Sequence, residues 1–158
     1  MRVTVAVSQH PGESSETEHA VENRSRSSLW IEGRVASGLG RGAQFIALDW
    51  VRQQLRESLG LTPFPGTLNL EVAPEVFRSI FDRRTAFQKI SDPSAPHCPG
   101  FLCRVALQAN GQICGAAYVI LPEMTAYQDV LEVISEHNLR EALRLQDGDR
   151  VELQEVSE

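Results

Sequence analysis

The chain has 158 residues, which is enough for one domain of ordinary size. Hydrophobic residues make up 42% of it and charged residues 23%, a balance that can bury a real core. Its net charge of -6 and its single lysine, Lys89, argue against a general nucleic-acid binder, because neutralising phosphates requires a basic face.

The cysteines and the apolar runs argue against two further classes of protein, zinc-binding proteins and membrane-spanning proteins. Cys98, Cys103 and Cys114 form no CxxC pair, and His97 and His137 do not complete a zinc spacing with them, so we interpret them as free or buried thiols. No apolar run approaches the roughly 20 residues of a membrane span. The first residues lack the pattern of a signal peptide. We therefore expect a cytoplasmic protein, without membrane or nucleic-acid partners.

The chain begins with a polar segment. Residues 8–28 are rich in Ser, Glu and His and have almost no apolar content, so we predict that residues 1–28 form a flexible extension. A single folded domain is then expected over residues 29–158. Its first predicted element is a strand over residues 29–36.

A glycine-rich turn follows this strand, with the sequence Ser37-Gly38-Leu39-Gly40-Arg41-Gly42. We predict a second short strand over residues 44–48. Asp49 is then expected to cap a helix over residues 50–59, which Gly60 ends as a C′ residue.

The middle of the chain alternates strand and turn signals. Alternating apolar residues predict a strand over residues 67–72, and Pro74 suits the first turn of a short helix over residues 73–81. Residues 82–99 are rich in Pro and Ser and poor in pattern, which predicts an irregular loop, with a ligand lid as the alternative.

The last third predicts mainly strands. Asn110-Gly111 between apolar segments is a strong hairpin signal, because both residues tolerate a positive φ. The remaining elements are an apolar segment at residues 129–134, a helical turn at 138–143, a turn at 147–149 and a strand at 150–156. Short strands with brief helices and no strand–helix repeat predict a mainly β fold, a small β-barrel.

The glycine turn has two interpretations. Glycines at alternate positions allow successive N–H groups to point into one concavity and bind a phosphate. A tight, twisted strand connection needs glycines for the same steric reason. The turn has neither the Walker nor the Rossmann pattern.

Two oxygen-bearing side chains follow the turn at Pro65-Gly66. The predicted strand puts Thr67 and Asn69 on one face, and Mg²⁺ prefers such oxygen ligands, with the other positions left to water and nucleotide phosphates. The alternative is that both simply form the solvent face of a half-buried strand.

Glu132 lies in an apolar run, where an unpaired carboxylate is costly. It must point to solvent or meet a specific donor such as a substrate hydroxyl. Arg140 can pair with a phosphate or with a neighbouring carboxylate, whereas a histidine such as His137 is more often a surface residue than a base.

In order and spacing, these segments resemble the CTP-dependent riboflavin kinases known mainly from archaea, over residues 31–153. The resemblance rests on Gly33-x-Val35-x-Ser37-Gly38-Leu39-Gly40-x-Gly42-x-x-Phe45, Leu59-Gly60, Pro63-x-x-Gly66-Thr67-Leu68-Asn69-Leu70, Pro122-Glu123-x-Thr125, Asp129-x-x-Glu132-x-Ile134, Leu139-Arg140 and Leu145-x-Asp147-Gly148-Asp149.

The resemblance implies a cradle-loop (RIFT-like) β-barrel, and an enzyme that transfers the γ-phosphoryl group of CTP to the 5′-hydroxyl of riboflavin to form FMN. Mg²⁺ would be held by Thr67 and Asn69, and the flavin would contact Thr125 and Glu132. Glu132 is the candidate catalytic residue, orienting the ribityl hydroxyl and accepting its proton. The nucleotide would lie against Gly33, Val35, Ala36, Ser37, Gly38, Leu39, Gly40, Gly42, His137, Asn138, Leu139 and Arg140.

One departure from the family pattern is Ile134-Ser135-Glu136, where the family usually has Ile-Ala-Pro. Three other hypotheses compete with the riboflavin kinase: a kinase of the same fold acting on another alcohol, a non-catalytic nucleotide- or flavin-binding module, and a structural barrel. We expect a monomer.

Overall fold

The computed structural model describes residues 30–38, 40–125 and 127–157, without the side chains of residues 96 and 97. The predicted flexible extension, residues 1–28, and the predicted nucleotide contact Leu39 lie outside the described residues. The elements, in chain order, are β1 (Trp30–Ala36), α1 (Arg41–Ile46), α2 (Asp49–Leu59), β2 (Leu68–Glu71), α3 (Pro74–Asp82), a 3-10 turn (Arg84–Ala86), β3 (Gln88–Asp92), β4 (Ala95–Ala109), β5 (Gln112–Pro122), β6 (Val130–Ser135), α4 (Leu139–Ala142) and β7 (Arg150–Glu155).

The strands form a closed antiparallel barrel, which confirms the predicted fold class. Six strands follow one another in the order β4-β5-β6-β2-β1-β7, and β7 pairs back onto β4. Strand β7 makes this closure at Leu153, which pairs with Ile31 of β1 and Leu107 of β4. Strand β3 pairs only with the beginning of β4, outside the ring. The barrel interior holds the main apolar core, including the fully buried Leu107 and Leu153.

The β4–β5 hairpin turns at Asn110 and Gly111, as predicted. Their φ angles of 51° and 73° are the left-handed values that this two-residue turn requires. Gly60 also ends α2 as predicted, with a φ of 63°.

A second apolar cluster covers part of the outer surface of the barrel. Ile46, Val51 and Leu55, from α1 and α2, pack against Ile120 of β5 and Ile134 of β6. These helices therefore fix the end of the glycine turn, whose residues Arg41 and Gly42 begin α1, against the outside of the barrel.

Three local predictions are wrong. Residues 44–48 are not a strand, because α1 covers Arg41–Ile46 and buries Gly42 and Ile46, four residues apart, on one face. Asp49 is the first residue of α2 and not its cap; the N-cap is Leu48.

Residues 82–99 are not an irregular loop, since they contain the 3-10 turn, all of β3 and the start of β4. Ile90 anchors β3 in the second cluster, and the Gln54 side-chain oxygen of α2 accepts a hydrogen bond from the Ser91 N–H at 2.9 Å.

The cysteines are free thiols, as predicted. Burial raises the pKa of the Cys103 thiol to about 12, so this cysteine stays protonated and unreactive at neutral pH. Within the described part of the chain, no group of His, Cys, Asp and Glu side chains is arranged to hold a metal ion. No helix of that part is long and apolar enough to cross a membrane.

Candidate active site

Asn69 and Glu132 lie opposite one another on neighbouring strands. In the register, Asn69 of β2 pairs with Glu132 of β6 on one side and Ala36 of β1 on the other. Leu68 and Leu70 belong to the barrel core, so the alternation of a strand turns Asn69, and likewise Glu132, to the outer face. Both polar side chains are nevertheless only 5% exposed. Something outside the barrel must cover them.

The glycine turn and the start of α1 supply this cover. A Cβ atom added to Gly38 would lie 1.4 Å from Asn69 Nδ2, and one on Gly42 would lie 2.6 Å from Glu132 Oε1 and 2.7 Å from Thr67 Cγ2. Glycine is needed at both positions because the backbone rests directly on polar side chains. Gly42 also donates its N–H to Glu132 Oε1 at 3.0 Å.

The oxygens of Thr67 and Asn69 are neighbours. The Thr67 hydroxyl donates to Asn69 Oδ1 at 3.0 Å, while the amide nitrogen of Asn69 faces Gly38. Adjacent ligands of an octahedral Mg²⁺, at metal–oxygen distances of about 2.1 Å, lie about 3 Å apart. The spacing and the neutral oxygen chemistry of this pair therefore fit a Mg²⁺ ion that keeps its other positions for water and phosphate.

Glu132 has a perturbed acidity. Burial raises the pKa of its carboxyl above the ordinary value of 4.5, and the hydrogen bond from the Gly42 N–H opposes this shift. A raised pKa makes the carboxylate a better proton acceptor once it is ionised.

We call the cluster of these contacting residues the polar junction. It consists of Thr67, Asn69, Glu132, Gly38 and Gly42.

Arg140 lies beside the end of β1. Its Nη2 donates to the Ala36 carbonyl at 3.2 Å and to Asp147 Oδ1 at 2.8 Å. The other Asp147 oxygen accepts a hydrogen bond from the Ser37 hydroxyl at 2.6 Å. The two bonds, from Ser37 first and Arg140 second, lower the pKa of Asp147 and keep it ionised. Asp147 thus ties the beginning of the glycine turn to α4, a role that the sequence did not reveal although this residue lies in a recognised motif.

A cleft of about 180 Å³ opens next to this arginine. Its walls come from the turn before β2 and from the segment leading into α4: Phe64, Gly66, Thr67, Leu68, Val133, His137, Asn138, Leu139 and Arg140. The structure therefore brings the segment predicted for the nucleotide, residues 137–140, to the predicted metal ligand Thr67. We call this the small cleft.

Other predicted nucleotide contacts have structural roles. Gly33 and Val35 face the barrel interior, where a Cβ on Gly33 would lie 3.1 Å from Leu70 Cβ. Both backbone groups of Val35 are bonded, to the carbonyl of residue 149 and the N–H of residue 148. The Leu139 side chain is in the core, and the Asn138 side chain caps α4.

Gly40 and His137 are exposed. Gly40 is the N-cap of α1, with a φ of 75°. The His137 N–H donates to the Ser135 hydroxyl at 3.3 Å. Ser135 itself is buried and donates to the Ala116 carbonyl at 2.9 Å, so this hydroxyl anchors the turn where the family usually has Ala-Pro.

Thr125 lines a separate and larger cleft of about 630 Å³. The residues around it are Arg41, Pro74, Phe77, Arg78, Phe81, Glu123, Met124, Thr125, Tyr127 and Gln128. Arg41 links this large cleft to the polar junction, because the next residue, Gly42, contacts Glu132. The two predicted flavin contacts, Thr125 and Glu132, therefore lie at the large cleft and at the junction beside it.

The fold and the site define a small closed β-barrel with a buried polar junction and two clefts. Thr67 of the junction lines the small cleft, and Arg41, which precedes Gly42 of the junction, lines the large cleft. A family model named CTP-dep_RFKase, with the description "Domain of unknown function DUF120", matches residues 35–154. This chain belongs to that family.

Its relatives include proteins named "Riboflavin kinase" from several archaea. The chain is 38% identical to those of Pyrobaculum aerophilum and Archaeoglobus fulgidus, with 80% of this chain matching 60% and 54% of theirs. It thus spans little more than half the length of these relatives. With the protein from Aeropyrum pernix it is 33% identical, and 77% of this chain matches 91% of that protein.

Proposed function

We propose that this protein is a CTP-dependent riboflavin kinase, which transfers the γ-phosphoryl group of CTP to the riboflavin 5′-hydroxyl and releases FMN and CDP. The observation that carries the proposal is the polar junction, where the buried Glu132 carboxylate and the neighbouring oxygens of Thr67 and Asn69 lie under the glycine turn. The relatives are named riboflavin kinases, which supports the acceptor, whereas only the name of the family model supports the dependence on CTP. We further propose that the enzyme is monomeric and cytoplasmic.

The nucleotide is assigned to the small cleft. Thr67 opens onto it, so phosphates placed there meet the Thr67–Asn69 pair. Arg140, which also lines the cleft, contributes positive charge. The described residues of the glycine turn do not line this cleft and the Gly42 N–H is donated to Glu132, so we propose that the remaining N–H groups of the turn bind phosphates that extend beyond the cleft.

Thr67 and Asn69 would hold Mg²⁺. The ion would neutralise charge on the phosphates during transfer, which is the main requirement of phosphoryl-transfer chemistry.

Glu132 is assigned to the acceptor hydroxyl. Its carboxylate is held by the Gly42 N–H and is 5% exposed, so it is fixed in place and shielded from bulk water. It accepts the proton of the ribityl 5′-hydroxyl as the phosphoryl group arrives. Its raised pKa suits this role, because it moves the carboxyl toward the pH at which the enzyme works.

The isoalloxazine ring is assigned to the large cleft. The volume of about 630 Å³ lies in the range of about 300–1,000 Å³ that small-molecule sites occupy. Phe77, Phe81 and Tyr127 give it aromatic walls, and Thr125 gives it a polar group that can orient the ring.

The test is to incubate the purified protein with riboflavin, Mg²⁺ and either CTP or ATP, and to separate riboflavin from FMN by chromatography. The proposal predicts FMN with CTP, little or none with ATP, and none with CTP once EDTA removes the metal.

Two results would point elsewhere. Thermal stabilisation by CTP without any FMN would favour a kinase for another alcohol or a non-catalytic binding module. Equal FMN formation with ATP would keep the kinase and overturn its dependence on CTP.

A further inference from the structure

Arg84 makes an unusual set of contacts in the segment after α3. Its Nη1 donates to the Phe81 carbonyl at 2.9 Å, and its Nη2 pairs with Glu123 Oε1 at 3.2 Å. Its guanidinium carbon also lies 4.2 Å from the centroid of the Phe81 ring. The side chain is 23% exposed, so these contacts are largely withdrawn from water.

The partners of Arg84 come from two different elements that line the large cleft. Phe81 comes from α3, and Glu123 follows β5. Arg84 is not part of the lining itself. It therefore connects these two elements through the ion pair with Glu123 and the cation–π contact with the Phe81 ring, and its guanidinium carbon also lies 6.0 Å from the centroid of the Phe101 ring.

Only an arginine can make these contacts together. The planar guanidinium stacks on a ring and at the same time directs separate N–H groups to two acceptors, which a lysine ammonium cannot reproduce. Its Nε is buried without a hydrogen-bond partner in the described part of the chain. An unsatisfied buried donor is unfavourable. The stacking of the guanidinium on the Phe81 ring and the hydrogen bonds of its two terminal nitrogens must therefore offset the cost of the unpaired Nε.

We propose that Arg84 is a positioning residue for the acceptor substrate, which holds Phe81 and Glu123 at a fixed distance from each other and so sets the shape of the large-cleft lining that they form. This inference rests on the proposed function, since it takes the occupant of the cleft to be the flavin. Arg84 contacts neither the polar junction nor the small cleft, so its effect is confined to the acceptor.

The test compares Arg84→Lys with the matched control Arg83→Lys. Arg83 is the preceding residue and also has an acidic and an aromatic partner, Glu155 at 3.4 Å and the Phe87 ring at 5.7 Å, but neither of these lines the large cleft. Steady-state kinetics give KM for riboflavin, KM for CTP and kcat. We expect Arg84→Lys to raise KM for riboflavin about tenfold, with KM for CTP and kcat within about twofold of wild type. Arg83→Lys should leave all three within about twofold.

A second variant covers the case in which Arg84→Lys does not fold. Glu123→Gln removes only the charge at one end of the connection and should raise KM for riboflavin by a smaller factor, about threefold. Quenching of riboflavin fluorescence, measured without nucleotide, should show the same order of affinities: wild type, then Glu123→Gln, then Arg84→Lys.

Failure of the role of Arg84 and failure of the proposed function give different results. An active wild type with an unchanged KM for riboflavin in both variants overturns the role of Arg84 alone, and so does an equal rise in the KM values for riboflavin and CTP. A wild-type protein that neither binds riboflavin nor forms FMN overturns the proposed function and this role together.

Discussion

Burial and a hydrogen bond from one backbone N–H shift the pKa of the Glu132 carboxyl in opposite directions. Burial raises its pKa above 4.5, whereas the hydrogen bond from Gly42 stabilises the ionised form. The sequence predicted that a carboxylate in this apolar run must point to solvent or meet a specific donor. It could not show that donor, because Gly42 lies 90 residues earlier in the chain and meets Glu132 only in the folded barrel.

The raised pKa has a consequence for stability. A carboxyl whose pKa is higher in the folded state than in the unfolded state contributes stability that is complete below the unfolded value, near 4.5, and is lost as pH rises through the folded value. Glu132→Gln is neutral at every pH and does not undergo this loss. We therefore predict that the melting temperature of Glu132→Gln gains on that of wild type between pH 4.5 and pH 8.

Melting curves recorded across this pH range measure the difference. The control is Glu71→Gln, the same substitution at an exposed position of β2. A melting temperature of Glu132→Gln that falls relative to that of wild type as pH rises would contradict the prediction.

At the scale of elements, the glycine turn and β2 depend on each other. Gly38 leaves room for the Asn69 amide, whose other end accepts the hydrogen bond from Thr67. The alternate glycines predicted either a phosphate site or a tight connection. The structure shows that the turn also packs directly on the predicted metal ligands, so a side chain larger than glycine has no room there. The spacing of glycines in the sequence could not indicate this steric requirement.

Gly38→Ala tests this dependence. The new methyl group needs the space that Asn69 Nδ2 occupies, so either the turn lifts or the amide rotates and breaks its bond to Thr67. We predict that the variant folds with a loss of about 1–3 kcal/mol and needs at least about tenfold more Mg²⁺ for half-maximal FMN formation.

Gly115→Ala is the matched control, because its Cβ would meet nothing within 4 Å. It should keep the Mg²⁺ requirement of wild type. An unchanged Mg²⁺ requirement in Gly38→Ala would contradict the prediction, because it would show that the packing of the glycine turn does not affect Mg²⁺ binding.

The errors in the sequence-based prediction concern elements that tertiary contacts determine. The segment at residues 44–48 has apolar residues that suit a strand, but burial of Ile46 against Ile134 favours a helix. Strand β3 was missed because its partner is the start of β4, and because its main apolar anchor is the single residue Ile90. Elements with a strong local signal, such as α2 with its C-terminal glycine and the Asn110-Gly111 hairpin, were predicted correctly.

At the scale of the whole molecule, closure of the barrel joins distant parts of the chain. Strand β7 holds β1 on one side and β4 on the other, so the carboxyl-terminal residues complete the ring. The sequence predicted a barrel from many short strands, but pairing between strands so far apart in the sequence has no local signal. The resemblance to a family narrowed this prediction to a cradle-loop barrel.

Closure predicts where stability is concentrated. Leu107 is fully buried where β4 meets β7, so Leu107→Ala should destabilise the protein by about 2–5 kcal/mol in urea unfolding. Ile113→Ala, in the same hairpin but 72% exposed, should change stability by less than about 0.5 kcal/mol. Similar losses in both variants would show that the β4–β7 closure does not limit unfolding.

The central claim is that the polar junction carries out phosphoryl transfer, and a single-turnover measurement tests it most directly. Enzyme saturated with CTP and Mg²⁺ is mixed with riboflavin, and the FMN formed in the first turnover is followed for wild type, Glu132→Gln and the control Glu71→Gln. The account predicts that Glu132→Gln slows this turnover by about 100-fold or more, while its affinity for CTP stays within about twofold and Glu71→Gln behaves as wild type. A first turnover in Glu132→Gln as fast as in wild type would contradict it.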